Sequence, residues 1–248
     1  MNNCWDAVDL AIANSERVLL YGPPGTGKTY SAVKVKPPKI VNPDTGKKRS
    51  NVFQITMTED TASANLEGFY KPSSKGTFEW HDGIAIKAWR NGGRLVVNEI
   101  DHASPDAMTF MHAILDDKEI ARLTLNNDKK ETVRPAEGFQ VIATTNSLPE
   151  SLPMALKDRF PVQIHVDTIH PKAISIFPQS WHEIIEETSL SQDTEERLSI
   201  RAWREFFELM DKGLTKDEAG FLIFGDRAND LVDAITLTDA DLSLDEDE

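Results

Sequence analysis

Gly22-Pro23-Pro24-Gly25-Thr26-Gly27-Lys28-Thr29 follows the apolar run Val18-Leu19-Leu20-Tyr21 and precedes Tyr30-Ser31-Ala32-Val33. The octet satisfies G-x-x-x-x-G-K-[ST] between a predicted strand over 18–21 and a predicted helix over 28–35. That is the setting in which the pattern forms a P-loop. Its glycines let backbone N–H groups turn inward around phosphate oxygens, and the helix N-terminus adds its positive end. In such a loop Lys28 reaches the β- and γ-phosphates and the Thr29 hydroxyl ligates Mg²⁺. Residues 22–29 are thus the expected binding loop for ATP and Mg²⁺.

Outward from the octet, four more short apolar runs read as strands, over 52–56, 95–98, 139–144 and 162–166. They are rich in Val, Ile and Leu and lack the alternation of a half-solvated sheet, as strands covered on both faces do. Helical stretches over 5–14, 84–91 and 105–117 intervene. Strand and helix in turn predict a three-layer α/β/α domain on a parallel five-stranded sheet over 1–170. Beyond it, helices over 181–187, 200–212, 216–224 and 231–235 predict a small all-helical domain over 171–238. Residues 239–248 carry six acids and no Lys or Arg, which reads as a solvated, disordered tail. Two segments interrupt the alternation. Residues 66–80 read as an insertion, and residues 121–134, alternating around Asn126-Asn127-Asp128, read as a hairpin.

A second chemical signal is Leu95-Val96-Val97-Asn98-Glu99-Ile100-Asp101, a buried strand ending in carboxylates, the form of a Walker B segment. Glu99 is the natural base to polarise a water for attack on the γ-phosphate. The preceding position, which supports the Mg²⁺ shell, holds Asn98. An amide accepts through its oxygen but brings no negative charge, so it neutralises the ion less well than an acid. One strand lies in sequence between the P-loop strand and the Glu99 strand, which leaves room for the 139–144 strand to insert between those two. That insertion would put Asn146 beside the γ-phosphate.

These motifs together resemble an AAA+ ATPase. The order is the P-loop octet, then Asn98-Glu99-Ile100-Asp101, then Ile142-Ala143-Thr144-Thr145-Asn146, then Leu156-Lys157-Asp158-Arg159-Phe160. The chain is most similar to the MoxR group with its CbbQ/NorQ activators, through Met57-Thr58-Glu59-Asp60-Thr61, Leu66-Glu67-Gly68, Trp80-His81-Asp82-Gly83 and Gly138-Phe139. The resemblance implies that the two interruptions are that clade's helix-2 insert and pre-sensor hairpin. It implies that Asn146 is sensor 1 and that Arg159 is the arginine finger reaching a neighbouring subunit. Ser199-Ile200-Arg201-Ala202 matches the start of a lid helix, making Arg201 the sensor 2 arginine, with Arg227 its competitor. It implies a ring, hexameric in this group, that remodels a protein partner, often one with a von Willebrand A domain or a metalloenzyme.

Charge and composition bound these expectations. Asp+Glu outnumber Lys+Arg by 41 to 27 in 248 residues, a net charge of −14, which argues against nonspecific nucleic-acid binding. A nucleic-acid-directed McrB-like subunit is the rival reading, kept open by Lys71, Lys75, Lys129, Lys130 and Arg134. A nucleotide-dependent assembly switch with weak hydrolysis is another, kept open by Asn98. The single Cys4 fits a reducing compartment, and the histidines show no metal-ligand spacing. With no membrane-length apolar run and no leader pattern, a cytoplasmic protein without membrane contact is expected. Phe69-Tyr70 in the first insert reads equally as a grip on a partner or as packing.

Overall fold

Alternation along three central strands settles the layering. Side chains of Leu19, Leu95, Val97, Val141 and Ala143 join one buried cluster with Trp89 and Met111, while Val18, Leu20, Val96 and Ile142 join another with Trp5, Val8, Ile12 and Ala32. Successive residues of a strand point to opposite faces, so a strand apolar throughout needs a helical layer on each side. The computed structural model describes residues 3–41, 47–74, 76–191, 193 and 197–245.

The strands are β1 (Arg17–Tyr21), β2 (Lys39–Val41), β3 (Lys48–Ser50), β4 (Val52–Thr56), β5 (Gly68–Pro72), β6 (Phe78–Asp82), β7 (Arg94–Asn98), β8 (Leu123–Thr124), β9 (Thr132–Val133), β10 (Gln140–Thr145) and β11 (Val162–His165). Five of them form the parallel sheet expected from the sequence, in the order β11-β1-β10-β7-β4. As expected, β10 lies between β1 and β7, with Leu19 opposite Ala143 and Ala143 opposite Val97. The helices of the same unit are α1 (Cys4–Asn14), α2 (Lys28–Lys34), α3 (Ser63–Glu67), α4 (Ile84–Asn91), α5 (Pro105–Ile114) and α6 (Met154–Lys157).

Both interruptions are antiparallel hairpins, β5–β6 and β8–β9. They are joined by Glu67, whose carboxylate accepts from the Asn126 amide groups, and by the Tyr70 hydroxyl, which accepts from Asp128 N at 2.6 Å. Arg90 bridges Asp82 of β6 and, with two parallel bonds, Glu131 beside β9. Tyr70 is thereby a packing residue, while Phe69 stays exposed under Lys71. Lys75 lies outside the described residues.

The chain divides into two compact units, residues 1–22 with 28–166, and residues 23–27 with 167–248. The division falls a few residues before the expected boundary at 170, and it assigns the crest of the P-loop to the second unit. There His170 N donates to Thr26 O at 2.8 Å. The second unit comprises α7 (Pro171–Ile174), α8 (His182–Leu190), α9 (Ile200–Asp211), α10 (Lys216–Phe224) and α11 (Ala228–Asp245). Its core is aromatic, built on Trp181, Trp203, Phe206 and Phe224. Here the sequence reading needs correction. The short helix over 231–235 and the disordered tail from Asp239 are one helix, α11, through Asp245. The Asp239 carboxylate accepts from Ser180 Oγ, Trp181 Nε1 and Lys216 Nζ at 2.7–2.9 Å, so this acid anchors the helix. Residues 246–248 lie outside the described residues. Among the described residues no helix is long and apolar enough to cross a membrane.

One buried cation organises the end of the sheet opposite the P-loop. Arg94 is 2% exposed. It donates to Ala32 O, Val35 O and Lys36 O at the C-terminal end of α2, and to Gln140 Oε1 on the paired strand. Gln140 Nε2 donates in turn to Ile12 O and Ser15 O at the end of α1. Burial pulls the guanidinium pKa down to about 10, and the helix-end carbonyls offset part of that cost. Arg94→Met should therefore lower unfolding stability by about 3 kcal/mol or more, since several buried carbonyls lose their donor. Urea unfolding measures this. A loss below about 1 kcal/mol would mean that the carbonyls find other partners.

Candidate functional site

At the carboxyl ends of the parallel strands Lys28 meets Asn146 and Thr29 meets Asn98. Gly22 follows β1 with φ +136°, and a Cβ there would lie 2.2 Å from Val166 O, so only glycine fits. Lys28 opens α2 and is 6% exposed. Its Nζ donates to Gly22 O at 2.7 Å and to Asn146 Oδ1 at 3.1 Å. Burial lowers its pKa to about 8, while Asp101 and then Glu99 act through space to raise it. A cation held among oxygens at the mouth of a helix N-terminus is arranged to receive an anion.

Thr29 is one residue further along α2. Its Oγ1 donates to Asn98 Oδ1 at 2.7 Å, and Thr144 Oγ1 donates weakly to the same oxygen at 3.3 Å. Asn98 Nδ2 donates to Ile55 O at 3.3 Å. The side chain thus uses both ends of its amide, one as acceptor and one as donor, as a carboxylate could not.

Glu99 follows in the left-handed conformation, φ +53° and ψ +48°, and is exposed at the strand end. A residue with a Cβ pays about 1–2 kcal/mol for that conformation, which turns the chain abruptly out of the sheet. Residues Ile100–His102 then make a single 3₁₀ turn, with His102 N donating to Glu99 O at 2.9 Å. Asp101 in that turn accepts from Ser147 Oγ at 2.8 Å. The sequence places Asp101 only in a carboxylate cluster and does not single out Ser147 or Thr144. Their position just before and after Thr145-Asn146 was the available signal.

Arg159 belongs to the first unit and Arg201 to the second. Arg159 donates to Asp116 Oδ1 at 3.0 Å, to Ala155 O and to His112 O, so it is folded against α5 and α6. In the second unit, the loop crest Pro23–Gly27 closes on itself, with Thr26 Oγ1 donating to Pro23 O at 3.1 Å. A Cβ on Gly25 would lie 3.6 Å from Ile200 Cγ2, so the start of α9 approaches this crest. Arg201 is the exposed next residue of α9, whereas Arg227 is half-buried.

Comparison with known proteins adds four findings. Residues 17–160 match the family described as AAA domain, dynein-related subfamily. An uncharacterized protein of Staphylococcus aureus is 32% identical over 232 residues, covering 90% of this chain and 79% of that protein. A RuvB mutant of Thermotoga maritima has a similar fold, with a TM-score of 0.50 and 15% identity over 94% of this chain. A solved chain from Cytophaga hutchinsonii gives a TM-score of 0.49 and 19% identity over 82% of this chain. This chain spans 66% and 57% of those two solved chains, respectively.

The site's titration has a definite sign. With a pKa of about 8, Lys28 is mostly charged near pH ~7 and mostly neutral near pH ~9. Only the ammonium attracts a phosphate. Affinity for ADP, measured by calorimetry in EDTA, should fall over that interval, by no more than about tenfold per pH unit. A flat profile would mean that Lys28 does not carry phosphate binding. For Asn98, the donor–acceptor pattern fits an amide better than an acid. Asn98→Asp sets a carboxylate oxygen against Ile55 O and should destabilise the nucleotide-free chain by about 1–3 kcal/mol. Thermal or urea unfolding of both forms without nucleotide reads this, and equal stability would contradict it.

Proposed function

Since the chain belongs to the AAA domain family, dynein-related subfamily, we propose that it binds ATP with Mg²⁺ at the Lys28 site and hydrolyses it. The observation that carries this is the convergence of Lys28 with Asn146, and of Thr29 with Asn98, at the ends of adjacent parallel strands. In this reading the backbone of residues 22–29 and the Lys28 ammonium take the phosphates. Asn146 leaves Lys28 to bond the attacking water or a γ-phosphate oxygen. Glu99, exposed at its strand end, accepts a proton from the water. Lys28 and an arginine offset the charge spread over the γ-oxygens.

The donor set fits Mg²⁺. Among the described residues no cluster of His, Cys, Asp and Glu could hold a metal on protein ligands alone. Mg²⁺ commonly takes one or two protein oxygens and completes its shell with water and phosphate. Thr29 Oγ1 would hold it directly and Asn98 Oδ1 would orient that hydroxyl. The ion would supply charge neutralisation at the phosphates.

Arg159 acts in this reading on a neighbouring subunit's γ-phosphate, which requires it to exchange Asp116 for phosphate. Arg201, next to the residue that approaches Gly25, is the lid arginine ahead of Arg227. The assembly is a ring of identical subunits of the MoxR kind, and it remodels a protein partner, such as one with a von Willebrand A domain. The exposed Phe69 and Phe78 of the β5–β6 hairpin are the contact offered to that partner.

The test combines binding and turnover. Glu99→Gln should keep ATP affinity and lower kcat by about 10²–10⁴. Arg159→Ala should keep ATP affinity and lose a factor of about 10³ or more in rate. Mixed with Glu99→Gln subunits, it should regain activity, because an intact Arg159 can then face an intact Glu99. Mixed rings that form, as judged by light scattering, yet stay inactive would show that the arginine does not act between subunits.

A further inference from the structure

The segment carrying Glu99 and the strand tip carrying Asn146 belong to different strands, and beyond the weak Thr144–Asn98 contact at 3.3 Å a shorter side-chain bond joins them across 46 residues. Asp101 Oδ2 accepts from Ser147 Oγ at 2.8 Å. Ser147 is itself fixed, because its N–H donates to Thr145 Oγ1 at 3.0 Å. The Asp101 side chain is only 10% exposed, and its Oδ1 is buried without a hydrogen-bond partner among the described residues. A buried carboxylate oxygen is costly to leave unpaired. The Asp101 charge acts on Lys28 and His102 Nε2 lies 3.8 Å from Oδ2, while the Ser147 bond fixes where the group sits.

We propose that Asp101 is a positioning residue, holding Asn146 in register with Glu99 through Ser147. The inference rests on the reading that Glu99 and Asn146 act on one water at the γ-phosphate. Asp101 is two residues from Glu99 across a tight 3₁₀ turn, and Ser147 is one residue from Asn146. Their bond leaves little freedom between the proton acceptor and the water's second partner. Without it, Asn146 is an exposed tip residue that accepts from Lys28, and Lys28 is needed by the phosphates.

The variants are Ser147→Ala, Asp101→Ala and Asp101→Asn. An asparagine keeps an oxygen acceptor for the hydroxyl, so it should rescue. Ser147→Ala and Asp101→Ala should each lower kcat about tenfold or more, with KM for ATP unchanged. Asp101→Asn should recover most of the kcat lost in Asp101→Ala, short of the parent by the charge that acts on Lys28. The double variant Asp101→Ala/Ser147→Ala should be no slower than the slower single, since both remove one contact. A readout independent of turnover is the Asn146 side-chain amide signal in ¹⁵N NMR, assigned by its loss in Asn146→Ala. It should move in Ser147→Ala and Asp101→Ala, and move less in Asp101→Asn, which loses the charge but keeps the acceptor. An unmoved signal in both alanine variants overturns the proposal, whether or not the chain turns over ATP. Multiplying effects in the double variant also overturn it. Absent ATP binding by the unmodified chain would instead overturn the reading beneath it, and leaves the NMR arm decisive for Asp101. Melting temperatures confirm that each variant is folded, and the half-buried, conservative Ser147→Ala is the arm least exposed to misfolding.

Discussion

A lysine ammonium almost withdrawn from water imposes the geometry of the first unit. Lys28 can stay charged there only if oxygens surround it, and the chain supplies them from two strands. Gly22 contributes a carbonyl from the end of β1, and Asn146 contributes an amide oxygen from beyond β10. This arrangement needs β10 directly beside β1, as the sheet order has it. It also needs a glycine at 22, since a Cβ would collide with Val166 O. The depressed pKa is the residue of a conflict between burial and charge. A phosphate resolves that conflict better than the protein's own neutral groups do.

The same helix is held at its other end by a second buried cation. Arg94 collects three carbonyls from the end of α2, and Gln140 extends the network to the end of α1. Arg94 and Gln140 are register partners on β7 and β10, so the sheet itself sets their spacing. With its first residue bound to strand tips and its last carbonyls bound to strand starts, α2 has little freedom to slide. Thr29 keeps a fixed distance from Asn98 for that reason.

Much of this was legible in the sequence because it depends on local patterns. The octet 22–29 lies between an apolar run and a helix, the central strands are apolar throughout, and Gly92 and the capping box of Thr215 with Glu218 mark helix ends. The insertion of β10 followed from counting strands between two motifs. Other features depend on distant partners that no local pattern shows. The β2–β3 hairpin is short and mostly exposed, so it has no apolar signature. Arg94 reads as a polar strand start until its carbonyl partners are seen. The acids of α11 read as a solvated tail because Ser180, Trp181 and Lys216 are far from Asp239 in sequence. Arg159 showed its motif but not Asp116, and Asp101 showed its charge but not Ser147.

Glu99 carries a consequence of another kind. Its left-handed backbone favours glycine, so at this position backbone ease and the role proposed for the carboxylate pull apart. Glycine would relax the strand end by about 1 kcal/mol and remove the carboxylate. Random substitution screened for thermal tolerance alone would drift toward the relaxed residue. Under the proposed reading, selection on turnover would hold the glutamate, and heat resistance gained there would come with lost hydrolysis.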